Sequence, residues 1–398
     1  MLEFAERTGL PVFNSTKYGG IMPIGHPLRA GPASSLALLS GKEGDEKPDL
    51  IILLGVRTGF LLGSRGGQVL PSEGCKFIQI DVDGTEIGRS HSIDLGIVSD
   101  AVAALMAFNV ALKGSKEPID VPLEWVKKAN GLQKTKPPHE DEEHQMPDGR
   151  AHPYHAVKQV FQSLREGSIV IMDGGEASCW AQDLVDKHSR ASAYLISTGY
   201  LGFLGNGWGY ALGAALADPT RQIVNIQGDG SAGFHIAELE TYARHNLNIL
   251  TVILNNACWG MSKSGQELIF GEATKARPAS KLSTTTKYEM VAEGFGCAGA
   301  KVEKVSEIEA AVQKLSGTRG PGCLNVIISD KPIHAATKAM IGNTDDDNVI
   351  VVPYYDNLPR PRYHREGKPE DTAAGEEQTN GTNGTDQPEE TEKPSGVV

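Results

Sequence analysis

Between His155 and Ile328 the chain alternates helical and strand patterns almost strictly, and this alternation limits the fold more than any other feature. The runs Ser168 to Met172, Gln222 to Ile226, Ile249 to Leu254 and Cys323 to Ile328 are short and nearly all apolar, as strands covered on both faces must be. Helical periodicity fills the gaps at His155 to Leu164, Asn206 to Leu216, Ala232 to His245 and Ile308 to Leu315. A helix between successive strands implies parallel crossovers, hence a mainly parallel, doubly covered α/β sheet. The first hundred residues read alike. Met1 to Arg7 is helical, while Leu10 to Phe13, Asp49 to Gly55, Lys76 to Asp81 and Leu95 to Val98 are strands.

Two such units suit a chain of 398 residues with 39% hydrophobic content. The expected division is an α/β domain over 1–128, a polar linker over 129–150, a second α/β domain over 151–345 and an extended segment over 346–365. A tail over 366–398 carries nine acidic and two basic residues, leaving only −5 of the net −12 for the rest. It has almost no large apolar residues and is expected to be disordered. The absence of basic clusters argues against a nucleic-acid partner. The five cysteines, Cys75, Cys179, Cys258, Cys297 and Cys323, lack paired spacing and suit a reducing, cytoplasmic compartment. These residues give no expectation of a signal peptide or long apolar span, and the Asn380 and Asn383 sequons are read as chance composition.

Two turns carry the chemistry. Gly228-Asp229-Gly230-Ser231 follows the second of those strands and opens a helix, where glycine admits a phosphate close to the backbone and helix-start amides favour an anion. Asn255-Asn256 ends the next strand, and parallel strands bring their carboxyl ends to one edge. A carboxylate, an amide oxygen and a backbone carbonyl are the ligands a hard octahedral cation such as magnesium takes beside a phosphate. A Gly-Asp-Gly turn alone is weak evidence, since such triplets punctuate many loops. Its coincidence with the asparagine pair is the stronger signal.

This pair resembles the signature of the thiamine-diphosphate-dependent enzymes, and from that resemblance the site residues follow. It implies that Asp229, Asn256 and the backbone oxygen of Cys258 bind Mg2+, with Gly228, Gly230 and Ser231 on the diphosphate. Within Gly199-Tyr200-Leu201-Gly202-Phe203-Leu204-Gly205, it implies that Leu204 wedges between the cofactor's two rings and that the Gly202 carbonyl and Leu204 amide grip the aminopyrimidine. Without the resemblance this stretch is a glycine-rich packing loop. Asp173-Gly174-Gly175-Glu176 resembles the remaining diphosphate-side loop. There Glu176 departs from the small or hydroxyl residue expected and should turn away from a diphosphate. Thr198, Trp259, Met261 and Ser262 fall at the substrate end, where Ser262 replaces the glutamate of the pyruvate decarboxylases.

Within the family, Tyr200-Leu201-Gly202, Trp259-Gly260, His152-Pro153-Tyr154-His155-Ala156 and Gly67-Gln68-Val69-Leu70-Pro71 resemble the benzaldehyde lyase branch, which makes or cleaves 2-hydroxy ketones. Acetolactate synthase, acting on 2-oxo acids, competes through Gly260-Met261, although Gly265 sits where it carries tryptophan. That enzyme also binds FAD. The Gly55 to Gly59 turn with Asp81 could serve a dinucleotide, or could be a solvated turn and a capping aspartate. The family's activating glutamate lies in a pyrimidine-binding domain that this chain is expected to lack. The expectation is therefore a lyase or transferase that is incomplete without that domain, in a dimer or tetramer or with a separate subunit, acting on small aldehydes or 2-oxo acids. A non-catalytic cofactor-binding scaffold is the alternative of another class.

Overall fold

A computed structural model describes residues 1–15, 17–23, 25–39, 47–63, 69–71, 73–115, 119, 121–132, 136–137, 139–270, 279–318, 320–339, 349–351 and 359–361. The acidic tail over 366–398, most of 346–365 and the Gly67-Gln68 part of one motif lie outside these residues. In chain order the strands are β1 (Val12–Asn14), β2 (Tyr18–Gly19), β3 (Arg29–Pro32), β4 (Leu50–Leu54), β5 (Lys76–Asp81), β6 (Leu95–Val98), β7 (Ile169–Met172), β8 (Ala193–Ile196), β9 (Ile223–Gly228), β10 (Ile249–Asn255), β11 (Ala298–Val302) and β12 (Gly322–Ile327), with a short pair β13 (Val349–Val351) and β14 (Pro359–Pro361). The α-helices are α1 (Leu2–Thr8), α2 (Ala101–Gly114), α3 (Leu123–Gly131), α4 (Pro153–Gln162), α5 (Glu176–His188), α6 (Gly207–Ala217), α7 (Asp229–His235), α8 (Glu238–Arg244), α9 (Gly260–Phe270), α10 (Tyr288–Gly294), α11 (Val305–Ser316) and α12 (Ala335–Ala339).

The large sheet has the order β11-β12-β10-β9-β7-β8-β2 and is parallel except for β2. Its central strands are buried on both faces, and residue alternation divides their side chains between two cores. Val224, Ile226, Leu250, Val252 and Leu254 pack with residues of α4, α5 and α11. Ile223, Ile249 and Ile253 pack with residues of α6, α8 and α10. The nearly all-apolar runs in the sequence are the consequence of this double cover.

Residues 1–108 form a parallel pair β1-β3 and a parallel three-stranded sheet β4-β5-β6, around Ala33, Leu53, Leu62, Leu70 and Phe77. This section also lends β2 to the large sheet, with Tyr18 opposite Leu195 and Gly19 opposite Tyr194. A buried ion pair between Arg29 and Asp186 reinforces the junction, and Asp186 also accepts from the Tyr194 hydroxyl at 2.9 Å. Among the described residues no helix is long and apolar enough to cross a membrane.

The continuous helix expected over Ala232 to His245 is instead two. Bonds of three-residue spacing, from the Leu239 amide to the Ile236 carbonyl and from Glu240 to Ala237, tighten the chain where α7 gives way to α8. The sequence pattern leaves out β2, β3, β8, β11, β13 and β14, two of them for a plain local reason. Strand β2 is only two residues long, and β11 reads Ala-Gly-Ala-Lys-Val, with little β propensity and a place at the sheet edge.

Candidate functional site

The carboxyl ends of β7, β8, β9 and β10 bring Asp173, the Gly199–Gly205 loop, Asp229 and Asn256 to one edge. Asp229 begins α7 and is 3% exposed. One carboxylate oxygen accepts the Gly230 amide at 3.0 Å; the other, Oδ2, is buried with no hydrogen-bond donor among the described residues. Burial pushes the Asp229 carboxyl up to about 7, against the opposing pull of the Gly230, Ala257 and Cys258 amides. The two turns singled out in the sequence thus meet at one carboxylate.

The second turn is held from several sides. Asn256 Oδ1 accepts the Cys258 amide at 3.1 Å, and Asn255 Oδ1 accepts the Ala257 amide at 3.1 Å. Ala257 takes the left-handed conformation, with φ of 58°, unusual for a residue other than glycine. Residues 280–282 lie along it: the Trp259 amide donates to the Ser280 carbonyl and the Leu282 amide to the Ala257 carbonyl, each at 2.8 Å. The Asn256 amide oxygen keeps a second lone pair. A buried carboxylate oxygen without a donor among the described residues, in a site whose second turn carries the Asn256 amide oxygen, fits a hard cation such as Mg2+.

Asp173 is fully buried, and its carboxylate collects four donors. Oδ1 accepts the amides of Gly174 at 2.6 Å and Gly205 at 3.1 Å; Oδ2 accepts the Ser197 hydroxyl at 2.8 Å and the Gly207 amide at 2.5 Å. This side chain therefore anchors the glycine-rich loop and faces the protein interior. His235 Nδ1 lies 3.1 Å from the Gly205 carbonyl, a second anchor. Gly205 has φ of +88°, and a Cβ there would fall 2.5 Å from Phe234 Cβ, so only glycine fits. Leu204 is half-buried beside this anchor, whereas Leu201 and Phe203 are 82% and 63% exposed.

The Ser231 hydroxyl donates toward Gln227 Oε1 and the Gly228 carbonyl and accepts the Gly228 amide at 3.0 Å, which commits it to closing the turn. Glu176 turns its Oε1 to the His334 amide at 3.1 Å and the Thr337 hydroxyl at 3.2 Å. Burial raises its pKa. Met261 packs on Gly175, where a Cβ would lie 3.2 Å from Met261 Cβ. Thr198 is half-buried and Ser262 exposed. Trp259 lies on Gly230, where a Cβ would come 2.6 Å from the indole, and meets Phe234 edge-on at 5.8 Å. With Asp229, Gly230, Gly233, Leu282 and Tyr288 these two rings line a cavity of about 290 Å³. A larger groove of about 790 Å³ along α6 is walled mainly by Ile169, Ile171, Leu195 and small helix residues and gathers few polar groups.

The roles of Asp173 and His235 as loop anchors and the strap over 280–282 were missed in the sequence. One signal was available: Asn225 and Gln227 are polar at alternate positions of an otherwise apolar strand, and they form a buried chain to Ser231. A second cluster joins His139, Glu142 and His152, whose ligand atoms lie within 4.8 Å of one another. Hydrogen bonds within the protein already engage these side chains. His152 Nδ1 accepts the Tyr154 amide at 3.1 Å as the helix cap of α4, so Nε2 carries the proton and donates to Glu142 Oε2 at 2.8 Å.

Comparison with known proteins agrees with this geometry. Residues 1–108 match the central domain of the thiamine pyrophosphate enzymes, and residues 173–326 match their C-terminal TPP binding domain. Similar proteins include the acetolactate synthase large subunit IlvG of Mycobacterium tuberculosis, 29% identical over 338 residues, covering 82% of this chain and 56% of the relative. Acetolactate synthase 2, chloroplastic, of Nicotiana tabacum is 28% identical over 331 residues, covering 82% and 48%. The 2-hydroxyacyl-CoA lyase of Arabidopsis thaliana is 28% identical over 334 residues, covering 82% and 56%. The chain spans about half the length of these curated relatives. With both domain matches in sequence order and the Gly-Asp-Gly and Asn-Asn turns meeting at one sheet edge, this chain belongs to the thiamine pyrophosphate enzyme family.

Proposed function

We propose that this chain is the cofactor-holding part of a thiamine-diphosphate- and magnesium-dependent carboligase or lyase that forms or cleaves 2-hydroxy ketones, with 2-oxo acids as its first substrates. The observation that carries the reading is the Asp229 Oδ2 atom, buried without a donor where the two turns meet. In this reading Asp229, Asn256 and the Cys258 carbonyl hold the metal. Gly228, Gly230, Gly175 and the Ser231 amide face the diphosphate, while Asp173 acts through the loop it anchors. Gly202 and Leu204 orient the thiamine, and Thr198, Trp259, Met261 and Ser262 border the substrate. Thiamine diphosphate, when bound, supplies the carbanion chemistry; the protein supplies orientation and exclusion of water.

Relatives named acetolactate synthase and 2-hydroxyacyl-CoA lyase support 2-oxo acid or 2-hydroxyacyl chemistry. A second reading, cleavage of aromatic 2-hydroxy ketones, is favoured by the Trp259 and Phe234 rings at the cavity. The dinucleotide reading of the Gly55 to Gly59 turn gains no support, because its polar side chains are engaged within the protein. Arg57 pairs with Glu86 at 3.1 Å, and Thr58 Oγ1 accepts the Ser90 hydroxyl at 2.6 Å.

The test combines the chain with a pyrimidine-binding domain of the family, in cis or in trans, with thiamine diphosphate, Mg2+ and either pyruvate or a 2-hydroxy ketone. Product carbonyls are followed by NMR. Carbon–carbon bond formation or cleavage is expected. Metal-dependent cofactor binding without turnover in any pairing would replace this reading with the scaffold.

A further inference from the structure

Both anchors of the glycine-rich loop, Asp173 and His235, hold its end at Gly205 and Gly207. Between Thr198 and Leu204 no side-chain hydrogen bond is made among the described residues, and Leu201 and Phe203 project into solvent. What grips this half is an aromatic ring. Lys17 Nζ lies 4.6 Å and Arg57 Cζ 5.1 Å from the centroid of Tyr200. Both cations belong to residues 1–108 and both are themselves restrained. Arg57 is drawn to Glu86, whose side chain is 7% exposed and also holds Arg89 at 3.0 Å. The Lys17 carbonyl accepts the Ile196 amide at 2.9 Å, at the end of the strand that leads into the loop.

We propose that Tyr200 is a positioning residue, through which Lys17 and Arg57 set the Gly199–Gly205 loop for the thiamine half of the cofactor. The inference rests on the function proposed above. It also gives the Gly55 to Gly59 turn a task that needs no dinucleotide: the turn presents Arg57 to the cofactor loop of the other sheet. The ring face attracts each cation electrostatically, so phenylalanine preserves the grip and leucine removes it. Gly202 and Leu204 address the thiamine rings, whereas the diphosphate is held from Asp229 and its neighbours. Loss of the Tyr200 contact should therefore weaken recognition of the thiamine half alone.

The experiment measures binding of thiamine diphosphate and of inorganic pyrophosphate, each with Mg2+, to the full chain by calorimetry. Tyr200→Leu is expected to raise the Kd of thiamine diphosphate about five- to thirtyfold while leaving pyrophosphate within about twofold. Tyr200→Phe is expected to remain within about twofold of the parent for both ligands. Tyr200→Leu combined with Arg57→Met is expected to bind no more weakly than Tyr200→Leu, since both remove one interaction. Unchanged thiamine diphosphate affinity in Tyr200→Leu, equal losses for both ligands, or additive losses in the double variant would overturn the proposal. Failure of the parent chain to bind either ligand with Mg2+ would overturn the proposed function as well, and so separates the two.

Discussion

Replacing Asp173 with asparagine exchanges one buried oxygen for an NH2 group at almost constant volume, so the cost can be worked from hydrogen bonds. Asparagine can keep its oxygen toward Gly174 and Gly205, turning the NH2 toward Ser197 and Gly207. The Ser197 hydroxyl can rotate to accept, because the Met172 carbonyl is also within its reach at 3.2 Å. The Gly207 amide cannot, and one buried N–H left unpaired costs about 1–3 kcal/mol. The two bonds that survive lose their charged acceptor, at about 1 kcal/mol each. The opposite orientation is worse, leaving two amides unpaired. Asp173→Asn should therefore destabilise by about 3–5 kcal/mol, a large part of a typical domain's stability of about 5–15 kcal/mol. Urea unfolding should show a lower midpoint at unchanged slope, and amide exchange should accelerate most at Gly205 and Gly207. A loss below about 1 kcal/mol with both amides still protected would refute the assignment of Asp173 as the anchor.

Leu204→Ala should leave Mg2+-dependent pyrophosphate binding intact while lowering turnover in the completed enzyme; equal loss of both would count against the wedge. Gly230→Ala drives a methyl to 2.6 Å from the Trp259 ring and should cost about 1–3 kcal/mol, with partial recovery in a Trp259→Phe background. No recovery would place the strain elsewhere. Burial holds the His152 imidazole down at about 4, whereas the unfolded chain takes up that proton near pH 6.5. Stability should consequently fall as pH drops from about 6.5 to 4, by up to roughly 3 kcal/mol from this ring. His152→Asn keeps a helix-capping oxygen and should flatten that limb in urea titrations. An unchanged limb would shift the effect to His155 and His188, whose burial also lowers them.

How far the fold could be read depends on where burial leaves a signature. Strands β9 and β10 are covered on both faces, so their apolar runs were plain, and with β7 and β12 they implied the parallel sheet. Strand β11 sits at an edge, needs few large side chains and carries no such run. The pairing of β2 with β8 rests on two residues and on the Arg29–Asp186 pair, 157 positions apart in sequence, which no local pattern encodes. The meeting of the Asp229 and Asn256 turns at one sheet edge was legible because they end consecutive strands. The contacts by which Asp173 anchors the loop were not legible, since its partners at Gly205 and Gly207 lie more than thirty positions away. Ser231 was expected on the diphosphate, yet its hydroxyl closes its own turn, a choice made by Gln227 behind it.

The most direct test of the central claim is calorimetric titration of thiamine diphosphate into the chain, with Mg2+ and with the metal chelated, for the parent and for Asp229→Ala. Saturable binding that requires both the metal and Asp229 is the expected result, since the orphaned carboxylate oxygen would then have its partner. Binding that persists without metal, or in Asp229→Ala, would contradict the account.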